Sequence, residues 1–131
     1  MYKGLQEIID NSTFSVEDGK FVYVKVRVAP RVNEHFLVSV DRDEITVVTK
    51  EDKLPELDLI EKNKDFYSLI AINVSVPFYS VGLLATISSA LADREMNVLI
   101  VSTYSKDYFM VRVERLLEAT ESLAGLGFTE K

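Results

Sequence analysis

The chain has 131 residues, no cysteine, 15 Lys and Arg against 21 Asp and Glu for a formal charge of −6, and 47% hydrophobic residues. That length and apolar share specify a folded chain of one domain, or of two very small units sharing a core. An acidic chain without a dense basic cluster excludes nucleic-acid binding driven by phosphate neutralisation, and the lack of cysteine excludes disulfides, thiolate metal sites and thiol nucleophiles.

Met1 to Asp10 carries acidic residues where a secretory leader needs an apolar run, so a cytoplasmic location is expected. Valines 22, 24, 26 and 28 alternate with Phe21, Tyr23, Lys25 and Arg27, and Asp18-Gly19 before them is a turn signal. A hairpin from Thr13 to Val28 is therefore expected. Pro30 to His35 leaves room for a short helical turn, and Phe36–Val40 and Glu44–Thr49 read as two more strands around the polar turn Asp41-Arg42-Asp43. Glu51 to Asp65 is charged, contains Pro55 and has weak periodicity, which marks a connection carrying one short element. The domain boundary is placed there, giving a strand-rich first unit at 1–62 and a second at 63–131.

Phe66 to Ala92 has no charged side chain and is long enough to span a bilayer. Pro77, Asn73 and scattered Ser and Thr interrupt it, and its period changes part-way from two to between three and four, so it reads as a buried strand followed by a helix rather than a membrane segment. Ile70, Ile72, Val74 and Val76 form the apolar face of the strand, and Pro77 ends it. Ser80 stands as the expected N-cap of a helix over Val81 to Asp93, with Leu84, Ile87 and Leu91 as its inward stripe and Val81 and Ala85 beside them. Met96 to Tyr104 is β-rich on both faces, as a central strand would be. Ser105-Lys106 turns the chain into Asp107–Val113, giving a hairpin, and Glu114 to Leu126 returns to helical spacing. There Leu116, Ala119, Thr120 and Leu123 face inward, with Gly125 and Gly127 ready to end the helix.

The resulting β-α-β-β-α order lacks the last strand of the ferredoxin-like βαββαβ pattern, and the strand-rich first half could supply it, which would interlock the two halves. The expected class is α+β. The segments Pro77-Phe78-Tyr79-Ser80-Val81-Gly82-Leu83-Leu84, Met96-Asn97-Val98 and Ser102 through Val111 resemble the ACT domain, a small-molecule-sensing module. Their serine-threonine-tyrosine and aspartate-tyrosine signature is similar to the tandem-ACT branch related to aspartate kinase regulatory regions and to the CASTOR arginine sensors. Asp43 through Val48 resembles the acidic pair and strand of a companion ACT unit, so two ACT-like units are expected. Glu95 stands where the family often has glycine, and Lys106 where it has threonine or another small residue.

The resemblance implies a non-catalytic regulatory protein that binds an amino acid at an interface between ACT units, without a cofactor, and that pairs as a homodimer. It implies a ligand site at Phe78, Tyr79, Ser80, Val81, Gly82, Asn97, Val98, Ser102, Thr103 and Asp107. The start of a helix at Phe78–Gly82 would offer backbone amides to an α-carboxylate, and Asn97, Ser102 and Asp107 are the nearest acceptors for an ammonium group by motif position. The alternative is a protein-interaction module of the same fold that has lost its ligand. Asp41, Asp43 and Glu44 read as a solvated hairpin turn rather than a metal site. His35, the single histidine, reads as structural or surface, and no nucleophile elbow, P-loop or dinucleotide fingerprint is present.

Overall fold

The computed structural model describes residues 4–74 and 80–131. Its elements in chain order are α1 (Leu5–Asp10), β1 (Thr13–Val16), β2 (Phe21–Val26), β3 (Leu37–Val40), β4 (Ile45–Lys50), β5 (Leu59–Lys62), β6 (Tyr67–Asn73), α2 (Leu83–Ala92), β7 (Leu99–Ser102), β8 (Lys106–Arg112), α3 (Leu116–Leu126) and β9 (Thr129–Glu130). Single 3-10 segments lie at Val32–Glu34, Glu51–Glu56 and Val113–Arg115. By internal contacts the chain divides into two compact units, one of Met1–Glu17 with Ser68–Lys131 and one of Asp18–Tyr67. Residues 1–17 thus go with the second half of the chain, whereas a division into 1–62 and 63–131 keeps them with the first.

The larger unit is built on β6, whose residues Tyr67 to Ile72 are all buried, as a charge-free strand requires. On one side β6 meets β1 antiparallel, from Thr13↔Asn73 to Val16↔Ile70, and on the other it meets β8. β9 then adds to β1 in parallel through Thr13↔Thr129 and Phe14↔Glu130. The order is therefore β9-β1-β6-β8-β7, a ferredoxin-like βαββαβ series with β1 inserted beside its first strand. Two sequence expectations change here. The series has its own last strand, the two-residue β9, and β1 pairs with β6 and β9 instead of forming a hairpin with β2. A period-two run specifies a strand but not its partner, which nonlocal packing decides.

Leu5, Ile9, Phe14, Ile70, Ile72, Leu83, Ile87, Leu91, Phe109, Val111, Ala119 and Leu123 make one core on which the three helices of this unit lie. α1, not expected from the sequence, is only six residues long and would be marginal in isolation, but Leu5 and Ile9 on one face are buried in that core. In α2 the inward stripe is Leu83, Ile87 and Leu91, not Leu84, Ile87 and Leu91, while Leu84 and Val81 are exposed. The cause is the helix start: Gly82, at φ 86, holds the N-cap position in the left-handed region, and Ser80 gives its carbonyl to Leu83 N–H (3.1 Å). β7 is an edge strand rather than a central one. Among the described residues it pairs only with β8, and Ile100 is exposed.

α2 and α3 end in the same way. Met96 N–H reaches back to Leu91 carbonyl (3.1 Å) and Glu95 N–H to Ala92 (2.8 Å); Phe128 N–H reaches Leu123 (3.2 Å) and Gly127 N–H Ala124 (3.1 Å). Each is a Schellman motif with its apolar pair, Leu91 with Met96 and Leu123 with Phe128, all four buried. The motif needs one left-handed residue, which is Gly127 (φ 120) in α3 and Glu95 (φ 60) after α2. A Cβ in that conformation costs about 1–2 kcal/mol. Glu95→Gly is therefore expected to raise unfolding stability by roughly 1 kcal/mol in a urea titration, less a fraction for the freer unfolded chain. An unchanged or lowered midpoint would show that the glutamate side chain offsets the strain.

A small ionic cluster ties the end of α2 to the start of α3. Arg115 Nε donates to Glu118 Oε1 at 2.7 Å, Arg115 Nη2 to the Arg94 carbonyl at 2.8 Å, and Arg94 Nη1 to the Glu118 carbonyl at 3.0 Å. The hydrogen bond from Arg115 holds the Glu118 carboxyl below its ordinary value of 4.5. A depressed folded-state pKa contributes stability that is present above the ordinary value and lost as pH falls through the folded one. The melting temperature of Glu118→Gln should fall below wild type at pH 7, and the difference should close on acidification below the ordinary carboxylate range. A gap independent of pH would assign the effect to packing.

The smaller unit is a strand layer in the order β3-β4-β2-β5. β3 and β4 form the expected hairpin, Leu37↔Val48 to Val40↔Ile45, and Asp41 Oδ1 closes its turn by accepting Asp43 N–H (2.8 Å) and Glu44 N–H (3.0 Å). β5 pairs with β2 across a bulge at Ile60, and Val22, Val24, Val26 and Val47 form the core with Leu54, Leu57, Leu59 and Phe66. The connection after β4 thus carries two short elements, the 3-10 segment and β5, where one was expected. Val28 lies past the end of β2 and is exposed. His35 Nδ1 sits 2.7 Å from Thr49 Oγ1, a structural role. Among the described residues this unit has 3-10 segments but no α-helix.

Candidate functional site

Within the larger unit, a cavity of about 340 Å³ lies between the start of α2 and the β7–β8 hairpin. Val74, just past β6, and Ser80, Val81, Leu83 and Leu84 line one wall. The hairpin residues Ser102, Thr103, Tyr104, Ser105, Lys106 and Asp107 line the other.

Local chemistry fixes both walls. Ser102 and Asp107 are the last cross-strand pair, and Ser102 Oγ–H donates to Asp107 Oδ1 at 2.6 Å. Thr103 donates twice to the Lys106 carbonyl, from its backbone N–H at 2.8 Å and from Oγ1 at 3.2 Å. The turn is thus Thr103 to Ser105, and Lys106 is already in β8. On the opposite wall the ladder of α2 starts with Thr86 N–H to the Gly82 carbonyl at 2.9 Å. The amides of the helix's first turn precede that bond, at the positive end of the helix.

Of the residues singled out in the sequence, Ser80, Val81, Ser102, Thr103 and Asp107 come together around this cavity. Gly82 adjoins it as the helix cap. Asn97 and Val98 are outside the lining: Asn97 is exposed in the segment leading to β7, and Val98 packs against the core. Phe78 and Tyr79, with Val76 and Pro77, lie outside the described residues.

Val74, Leu83, Leu84, Tyr104, Ser105 and Lys106 are lining residues that sequence reasoning did not include in the site. The last three sit between motif positions Thr103 and Asp107, and contiguity alone could have added them. The aliphatic wall gave no such signal, since its residues read as ordinary strand and helix positions. Lys106 and Asp107 are the charged residues of the described lining, and neither enters an ion pair among the described residues.

A second, more open depression of about 270 Å³ lies in the smaller unit beside Tyr23, Lys25, Glu44 and Glu61. There Lys25 is already paired with Glu44 at 3.8 Å. Burial first, and then the neighbouring Tyr67, push the Tyr23 phenol above its ordinary range. Among the described residues, no group of three or more His, Cys, Asp or Glu is placed to hold a metal ion, and no helix is long and apolar enough to cross a membrane.

By sequence, residues 63–124 match the family described as ACT domain. No curated protein matches the chain. Among solved structures, it is similar to a Vibrio cholerae protein of unknown function, described as a possible transport protein, with TM-score 0.81 and 22% identity over 95% of this chain and 97% of that one. It is similar to the aspartate kinase of Clostridium acetobutylicum, with TM-score 0.65 and 12% identity over 86% of this chain and 34% of that one. It is also similar to the ligand-free regulatory subunit of aspartate kinase from Thermus thermophilus, with TM-score 0.60 and 10% identity over 86% and 95%. At these identities the structural likeness establishes the fold. The chain has a mixed α+β fold of the ACT type shared with these structures, and the described lining of its cavity lies within the segment that matches the ACT domain.

Proposed function

We propose that this is a non-catalytic regulatory protein that senses an amino acid in the cavity between α2 and the β7–β8 hairpin. The observation that carries this reading is the presence of one cation, Lys106, and one anion, Asp107, in the lining of a cavity of about 340 Å³ within the ACT-matching segment. That volume is at the small end for ligand pockets, about 300–1,000 Å³, and suits a single amino acid better than a nucleotide. Asp107 and Ser102 accept the ligand's ammonium group, and the first-turn amides of α2, with Lys106 across the cavity, receive its carboxylate. In the same reading residues 1–62 derive from a degenerate companion of the ACT unit at 63–131, in the tandem manner of the CASTOR-like branch. A second copy, side by side, would cover the open face of the site.

Occupancy acts by population shift, since a ligand moves an equilibrium only through its difference in affinity for two states. Thermal unfolding of the purified chain against each standard L-amino acid, with oligomeric state recorded, tests this. Binding to the native state stabilises it by RT ln(1 + [L]/Kd), about 2.7 kcal/mol at a hundredfold excess over Kd. No rise with any amino acid at millimolar concentration would reject the sensor.

The second reading, an assembly module without a ligand, is favoured by β7. Its outer edge has no strand partner among the described residues and presents exposed Ile100. A dimer that forms equally with and without amino acids would support it.

A further inference from the structure

We infer that the cavity selects an amino acid whose side chain is uncharged and aliphatic, of the size of valine, leucine or isoleucine. This inference rests on the sensor reading above and narrows its ligand class. The first argument is charge. The wall at the end of β6 and the start of α2, formed among the described residues by Val74, Ser80, Val81, Leu83 and Leu84, carries no charged side chain. Every charge in the described lining is therefore on the hairpin, where Lys106 and Asp107 balance one another. A zwitterion uses up one cation and one anion. The ammonium of lysine, the guanidinium of arginine or the second carboxylate of aspartate or glutamate would meet no opposite charge, and an ion desolvated without a partner is disfavoured.

The second argument is the placement of apolar surface. Val74 and Leu83 are buried, whereas Val81 is 74% exposed and Leu84 38% exposed. Both of the exposed residues line the cavity, so their unburied area is what an aliphatic side chain would cover. Apart from Ser80, the polar side chains of the described lining lie across from them on the hairpin. A ligand held by its α-ammonium and α-carboxylate at the hairpin and helix start would turn its side chain toward Val74, Val81 and Leu84.

The test compares the midpoint shift given by L-leucine, L-isoleucine and L-valine with that given by L-arginine, L-lysine, L-aspartate and L-glutamate at equal concentrations, in wild type and in Leu84→Glu. Leu84 is partly exposed, and an acid in the first turn of a helix is tolerated. Val81→Glu serves as the second variant should Leu84→Glu fail to melt cooperatively. The expected result is a concentration-dependent rise with at least one aliphatic amino acid and a shift at least about tenfold weaker in midpoint concentration with the charged ones. In Leu84→Glu the aliphatic response should fall and a response to lysine or arginine should emerge. A wild-type response to a charged amino acid equal to or above that to leucine would overturn this inference and leave the sensor reading standing. Silence toward every amino acid would overturn both.

Discussion

A fragment of residues 63–131 is expected to remain unfolded on its own, although it contains the whole ACT-matching segment. Cutting there removes β1, so β6 would lose the ladder from Thr13↔Asn73 to Val16↔Ile70, and β9 would lose the only strand to which it pairs among the described residues. It would also remove Leu5, Ile9 and Phe14, each at most 1% exposed in the core that α2 and α3 cover. Truncating one buried Phe to Ala costs about 3–5 kcal/mol and one Leu or Ile to Ala about 2–5. A whole domain is stable by only about 5–15 kcal/mol, so losing three such side chains with their strand exceeds what the remainder can hold. Far-UV circular dichroism of the fragment should show no cooperative melt. A chain in which residues 1–17 are joined by a flexible linker to residues 68–131 should recover one. In the full chain, Phe14→Ala should lower stability by about 3–5 kcal/mol. A fragment 63–131 that melts as sharply as the full chain would show that β1 is dispensable and that the boundary at 62/63 is a true domain boundary.

The same comparison shows what the sequence made legible. Elements whose signal is local were readable: the β6 run, the α2 and α3 helices, the β7–β8 hairpin and the β3–β4 hairpin all follow from periodicity and turn residues within each segment. Partners and edges were not. β1 reads as half of a hairpin with β2 because Asp18-Gly19 is a good turn signal, yet among the described residues β1 pairs with β6 and β9 and not with β2. A short α1 is held by burial of Leu5 and Ile9 rather than by propensity, and β9 has two residues, too few for any period. In α2 the first helical residue lies two positions later than expected, because Gly82 and not Ser80 is the cap. That shift exchanges Leu84 for Leu83 on the core face and frees Leu84 to line the cavity. Glu95 is the converse case. A departure from the usual glycine was visible in the sequence, and the backbone there keeps the left-handed turn at φ 60. For the site, Ser80, Val81, Ser102, Thr103 and Asp107 were legible, while Val74, Leu83 and Leu84 were not, since their place in the wall arises only when β6 and α2 pack against the hairpin.

Asp107→Asn is the variant expected to separate a ligand group from a structural residue of the hairpin. The carboxylate accepts one hydrogen bond from Ser102 at 2.6 Å, which uses one of its roughly four lone-pair sites. Asparagine has the same shape and keeps an acceptor oxygen for Ser102, so the hairpin from Leu99↔Met110 to Ser102↔Asp107 should survive, and unliganded stability should change by less than about 1 kcal/mol. What it loses is the negative charge, the only one in the described lining of the cavity. If an ammonium group is held there, losing its charge partner in a partly desolvated site costs about 2–5 kcal/mol, so Kd should weaken by at least about thirtyfold. The midpoint shift given by the best amino acid should then disappear at concentrations that saturate wild type. Ser102→Ala should cost less, because it removes the group that orients the carboxylate and leaves the charge in place. A pair of variants that both fold, with Asp107→Asn keeping its full ligand response, would make Asp107 a structural residue of the hairpin and move the ammonium contact to main-chain carbonyls there.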